Sequence, residues 1–169
     1  RGWPDATVGS YAAVGSDPAA AAVGADAAVA AATAAVTVVI AETSLTNGDT
    51  LTGGTGSDIL SLTSDGGTGD FTNVSGFETL KTTANNATGI TTVDGNVADG
   101  GSMTVNALSL TTQVLTFNGS AELDGAFVIT AGGTGDHQVT LGQGNDSYTC
   151  LHHKWGSCRI KIRQSNWRR

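Results

Sequence analysis

Aspartates that follow glycine-rich turns are the residues of this sequence best suited to chemistry. The segment 53–61 reads GGTGSDILS. Glycine at its first, second and fourth positions permits positive φ angles and lets backbone carbonyl groups turn inward. Asp58 adds a carboxylate at the sixth position. Calcium takes about six to eight oxygen ligands in loose geometry, so this turn predicts a calcium site formed by Gly53, Gly54, Gly56 and Asp58.

Related units flank this turn and extend the set of candidate ligands. Asp49 lies nine residues before Asp58 and marks a partial earlier copy. Two consecutive units follow later, GGTGDHQVT at 132–140 and LGQGNDSYT at 141–149. They depart from the pattern at His137 and Leu141, and ordinary glycine-aspartate turns without an ion remain an alternative for every copy. The further candidates are Gly133, Gly135, Asp136, Gly144 and Asp146.

The elements that position these turns are short β-branched runs. Between residues 42 and 149 such runs alternate with Gly, Asn and Asp, which is typical of an all-β architecture. The nine-residue units predict a β-solenoid or β-roll-like stack. A β-sandwich is the alternative, because residues 62–130 lack a strict nine-residue period. This body has one histidine and no cysteine, so we expect no catalytic residues and no enzymatic activity.

The body resembles the hemolysin-type (RTX) calcium-binding repeat family, in particular the bacterial S-layer and adhesin-like β-strand-repeat proteins. The resemblance is carried by 53–61 and by FTNVSGFETL at 71–80. It implies a parallel β-roll with Ca²⁺ between coils and a non-enzymatic structural module of a secreted or cell-surface bacterial protein. The alternative that it implies is a calcium-binding repeat module of a larger secreted RTX enzyme or toxin.

Acidic and basic residues are unevenly distributed along the chain, and this distribution limits the classes of partner that it can bind. Lys and Arg number 8 against 15 Asp and Glu, for a net charge of -7, which argues against a nucleic-acid binder. Residues 150–169 hold six of the bases, no acid and both cysteines. We interpret this basic tail as foreign to the fold. The expected partners are other copies of the chain, in a lattice or filament, and a cell-surface or extracellular ligand.

The first 41 residues form a lead-in followed by an alanine-rich run. Asp17 is suited to cap a helix and Pro18 to its first position. Alanine has the highest helix propensity, so the run predicts a helix over 18–35. The apolar stretch 27–41 is shorter than the roughly 20 residues that cross a bilayer, and we expect no membrane span.

Overall fold

The structure is a computed structural model that describes residues 20–23, 28–29, 34–41, 44–63, 66–151 and 161–164. These residues form fifteen strands and a 3₁₀ turn at Asp94–Asn96. The strands are β1 (Ala20–Val23), β2 (Ala28–Val29), β3 (Thr37–Ala41), β4 (Thr50–Thr52), β5 (Ile59–Thr63), β6 (Thr68–Asp70), β7 (Val74–Ser75), β8 (Thr79–Thr82), β9 (Thr88–Thr91), β10 (Ser102–Ala107), β11 (Leu115–Asn118), β12 (Ala126–Gly132), β13 (Gln138–Leu141), β14 (Ser147–Leu151) and β15 (Lys161–Gln164).

The strands form three parallel sheets along a coiled chain. A 7-stranded sheet has the order β1-β3-β5-β8-β10-β12-β14, a 5-stranded sheet has β15-β13-β11-β9-β6, and a 3-stranded sheet has β2-β4-β7. Each described pairing is parallel and joins one coil to the next. Parallel pairing needs a long crossover, which the other strands and corners of each coil supply. The predicted all-β solenoid is therefore confirmed, and the β-sandwich, which is built from antiparallel sheets, is not observed.

The core is a set of aligned apolar rows inside the coil. In the 7-stranded sheet, register places five buried residues in one row: Val38, Leu60, Leu80, Val105 and Ile129. A shorter row in the 5-stranded sheet contains Ile90, Phe117 and Val139. Alternate residues on a strand face opposite sides, so this stacking fixes which residues at the corners face inward.

Coil length varies, which explains why the nine-residue period is lost in the middle of the body. Paired residues in neighbouring coils lie 22 residues apart at Val38 and Leu60 and 20 at Leu60 and Leu80. In the middle of the body they lie 25 apart at Leu80 and Val105 and 24 at Val105 and Ile129. Corners that differ in length keep the strands in register. A fixed sequence period is therefore not needed for the stack.

The predicted helix over 18–35 is wrong at the described residues of that segment. Ala20–Val23 is a strand that pairs in parallel with β3, and Ala28–Val29 is a strand that pairs with β4. Helix propensity is a weak preference, and the unpaired edges of β3 and β4 offer backbone hydrogen bonds that a strand can satisfy. The other residues of 18–35, except Ala34 and Ala35, lie outside the described part of the chain.

Two pieces of the basic tail are described, and both are β-structure. Cys150 and Leu151 complete β14 beside β12, and Lys161–Gln164 forms β15 beside β13. Cys150 is disulfide-bonded. The foreign origin of the tail stays a prediction, because strand pairing does not bear on where a sequence comes from.

Candidate functional site

The first glycine-rich turn is shaped by close approach of neighbouring coils. Gly54 and Gly56 adopt φ angles of 111° and 139°, which side chains other than glycine's rarely allow. A side chain at Gly53 would collide with the carbonyl oxygen of Gly76 and with Asp58 itself. Glycine here lets the turn fold tightly around the Asp58 carboxylate.

Asp58 joins three successive coils. Its side chain is fully buried. Oδ1 accepts a hydrogen bond of 2.7 Å from the backbone N–H of Val36, in the preceding coil. The Asp58 N–H in turn donates to Oε2 of Glu78, in the following coil, at 2.7 Å. Oδ2 is buried and has no hydrogen-bond partner among the described residues.

Asp49 closes its own turn. It is 1% exposed, and its Oδ2 accepts from the backbone N–H and the hydroxyl of Thr46 at 2.6 and 3.1 Å. This short-range pattern is that of an aspartate that stabilises a turn through local backbone hydrogen bonds. Asp49 therefore serves the shape of the corner before β4.

In the later pair of repeat units, 132–149, His137 bridges neighbouring coils as Asp58 does in the unit 53–61. Its Nδ1 accepts from the N–H of Leu115, one coil earlier, at 3.0 Å, and Nε2 donates to the carbonyl oxygen of Gly132 at 3.0 Å. The position requires an acceptor for a backbone N–H, and neutral imidazole provides one. Burial lowers the pKa of His137 below its ordinary 6.5, against opposing effects of Gly132 and Asp136. Both ring nitrogens are engaged with backbone groups, so this histidine is unsuited to general-base chemistry.

The glycines and the aspartate of the same turn lie around His137. Gly133 has a φ of 81°, and side chains at Gly133 and Gly135 would collide with carbonyl groups of Thr111 and Gln113 in the coil before. Asp136 is exposed. The turn therefore resembles the first one in its close packing but presents its aspartate to solvent.

Asp146 repeats the Asp58 arrangement in the last unit. Its Oδ1 accepts from the N–H of Phe127 at 2.7 Å, one coil earlier. Oδ2 is buried without a hydrogen-bond partner in the described ranges. A side chain at Gly144 would collide with the Gly125 carbonyl oxygen, so glycine is again required where coils meet.

The fold does not bring the two repeat blocks together. Asp58 precedes β5 and Asp146 precedes β14, at the same corner but four strands apart in the 7-stranded sheet. At about 4.8 Å per strand this separation is about 19 Å. Asp136 lies before β13, at the corner between the 7-stranded and 5-stranded sheets. Any ion at one repeat aspartate must therefore be held by residues of its own corner.

A third group of carboxylates, which no repeat pattern signals, lies outside the repeat units. One carboxylate oxygen from each of Asp94, Glu122 and Asp124 lies within 4.8 Å of those of the other two. Residues in this group belong to two coils and show no nine-residue spacing. Only the coil register, which the sequence does not reveal, places Asp94 beside Glu122.

Comparison of the chain with protein-family models, with curated proteins and with solved structures gave no match. Among the described residues, no helix has the length and apolar character needed to cross a membrane.

Proposed function

We propose that the chain is a non-enzymatic, calcium-binding structural module of a secreted or cell-surface bacterial protein of the S-layer or adhesin-like kind. The solenoid provides a stiff body, and calcium stabilises its corners. The module connects or spaces other parts of such a protein, or copies of itself, and performs no chemistry of its own.

The contacts between coils support a mechanical role. Backbone hydrogen bonds run along each parallel sheet, and Asp58, His137 and Asp146 add side-chain bonds from one coil to the coil before it. Asn96 adds another, since its Nδ2 donates to the carbonyl oxygens of Phe71 and Val74 at 2.7 and 2.6 Å. Stacked coils of this kind contact mainly their nearest neighbours and form extended rods.

The calcium proposal is supported chiefly by two repeat aspartates that each have a buried carboxylate oxygen without a hydrogen-bond partner. Asp58 and Asp146 each use one oxygen to hold a neighbouring coil, and each leaves the other oxygen buried without a partner. A buried unsatisfied carboxylate oxygen costs free energy. A calcium ion at the same turn would satisfy it, and this is the position at which the repeat resemblance implies a ligand.

Self-association of the module is part of the proposal, since β14 is the last strand of the 7-stranded sheet among the described residues. A parallel sheet presents unpaired N–H and C=O groups at its last strand, and such an edge pairs readily with another chain. We extend the proposal to end-to-end contact between copies of the module at the cell surface.

The test is a calcium titration of the full 169-residue chain, followed by thermal unfolding in far-ultraviolet circular dichroism, with magnesium as the ion control. The proposal predicts a rise in melting temperature with calcium and a smaller or no rise with magnesium. The double variant Asp58→Asn, Asp146→Asn should lose most of this rise. The matched control is Asp70→Asn, since Asp70 accepts from Thr72 within its own turn. An unchanged melting temperature in calcium and chelator would contradict the calcium role.

A further inference from the structure

The corner that follows the 5-stranded sheet contains two turns from successive coils. The 3₁₀ turn Asp94–Asn96 follows β9, and residues 119–125 follow β11 in the next coil. Oδ1 of Asp94 accepts from the N–H of Leu123 at 2.9 Å. This bond fixes the later turn against the earlier one and holds Asp94 beside the acidic residues of that turn.

Glu122 is the buried member of this corner. Its side chain is fully buried. Oε1 accepts from the N–H of Gly125 at 2.8 Å and from that of Asp124 at 3.3 Å, so the chain wraps around the carboxylate. Oε2 is buried and has no hydrogen-bond partner among the described residues. Glu122 is therefore a buried carboxylate with one oxygen lacking a partner, and it belongs to the group that Asp94 and Asp124 complete.

No Lys or Arg of residues 66–149 lies at this corner, and Lys161 and Arg163 are on β15, two strands from β11 in the 5-stranded sheet. Lys81 is the sole Lys or Arg between residues 2 and 149, and it lies on β8 in the 7-stranded sheet. Asp94, Glu122 and Asp124 bring three carboxylates together at this corner. The corner thus concentrates carboxylates that repel one another.

We propose that Asp94, Glu122 and Asp124 bind one calcium ion. The three carboxylate oxygens lie within 4.8 Å of one another, and oxygens that share a calcium ion at 2.3–2.6 Å can be at most about 5 Å apart. The ligand set consists of hard oxygen atoms, which favours calcium over softer metals. Asp94 and Asp124 are exposed, so water can complete the coordination.

The site is new relative to the glycine-aspartate repeats, because none of its residues belongs to a repeat unit. It does not rest on the proposed function, since it can bind an ion whether or not the repeat turns do. A bound ion would join the coil that contains β9 to the coil that contains β11. The Asp94 to Leu123 hydrogen bond already preorganises that junction.

Isothermal titration calorimetry of the full chain with calcium, after treatment with chelator, tests the site. The variants are Asp124→Asn, which changes an exposed side chain, and Glu122→Gln, which keeps an oxygen for the Gly125 N–H. Each removes one charged ligand, and we expect each to weaken one class of calcium site by at least about tenfold. Asp70→Asn is the matched control for loss of one acidic side chain, and circular dichroism shows that each variant retains its β-structure.

The outcomes separate this site from the repeat turns. Loss of a binding class in both Asp124→Asn and Glu122→Gln, with retention in Asp70→Asn and in the double variant Asp58→Asn, Asp146→Asn, supports the site. Parent-like binding by Asp124→Asn overturns it. Binding that is lost only in the double repeat variant also overturns it, while it supports the proposed function. Absence of calcium binding by the parent chain at millimolar ion overturns both calcium proposals.

Discussion

Replacement of Asp58 by alanine and by asparagine separates its structural role from its proposed role as a ligand. Alanine removes the acceptor for the backbone N–H of Val36, and Val36 is only 4% exposed. A buried donor left without its partner costs about 1–3 kcal/mol. Asparagine keeps an oxygen at the same place and removes only the charge.

The melting temperature in chelator should therefore fall for Asp58→Ala and change little for Asp58→Asn. A loss of about 2 kcal/mol corresponds to roughly 4–8 °C for a chain of this size. Calcium should raise the melting temperature of the parent chain and have a smaller effect on either variant, because both lack the charged ligand.

The assay is thermal unfolding followed by circular dichroism on parent, alanine and asparagine chains, each with chelator and with calcium. Equal melting temperatures for parent and Asp58→Ala in chelator would refute the bridging role of Oδ1. An equal calcium response in all three chains would refute Asp58 as a ligand while leaving the bridging role intact.

Three other perturbations test separate parts of the structure. Burial holds the folded-state pKa of His137 below its unfolded value of 6.5, so its contribution to stability should be full above about pH 6.5 and be lost as pH drops toward the folded-state pKa. His137→Asn should reduce the pH dependence of the free energy of unfolding measured in urea, and an unaltered pH dependence would contradict this. Gly133→Ala should destabilise the fold more than Gly100→Ala, since both glycines have positive φ angles but only Gly133 lies against a backbone carbonyl group. The midpoint of urea unfolding should therefore be lower for Gly133→Ala, and equal midpoints for the two variants would contradict this prediction. Phe127→Ala should lower the free energy of unfolding by about 3–5 kcal/mol, because the Phe127 ring is fully buried and packs edge-to-face on Phe117 with 4.9 Å between the ring centroids. A loss under 1 kcal/mol, on the order of a surface substitution, would show that the core is not packed as described.

The sequence predicts the strands of the body well, because their local signals agree with the fold. Runs such as Ile59–Thr63 and Ala126–Gly132 combine β-branched residues with flanking glycine, and both are strands. The glycine-rich turns are also recognisable, since Gly54 and Gly133 occupy positive φ angles that few other residues adopt.

The alanine-rich segment shows where local preference fails. Alanine favours helix in isolation, yet Ala20–Val23 completes a parallel ladder on β3. The hydrogen bonds that an open sheet edge offers depend on distant residues, and no local pattern reports them.

The candidate site was only partly predictable for a similar reason. The sequence identifies Asp58 and Asp146 as special, but it does not show that each binds the backbone of the preceding coil. His137 looks like a departure from the repeat, although the structure shows it accepting the same kind of hydrogen bond. The proximity of Asp94 to Glu122 depends on coil lengths that vary along the chain.

Calcium is proposed to occupy the corners of this solenoid at the repeat aspartates. The most direct measurement is a crystal structure of the full chain grown with calcium, with anomalous scattering used to locate the ion. Anomalous peaks are expected within coordination distance of Oδ2 of Asp58 and Oδ2 of Asp146. Well-ordered carboxylates at both positions with no anomalous peak beside either would contradict this proposal.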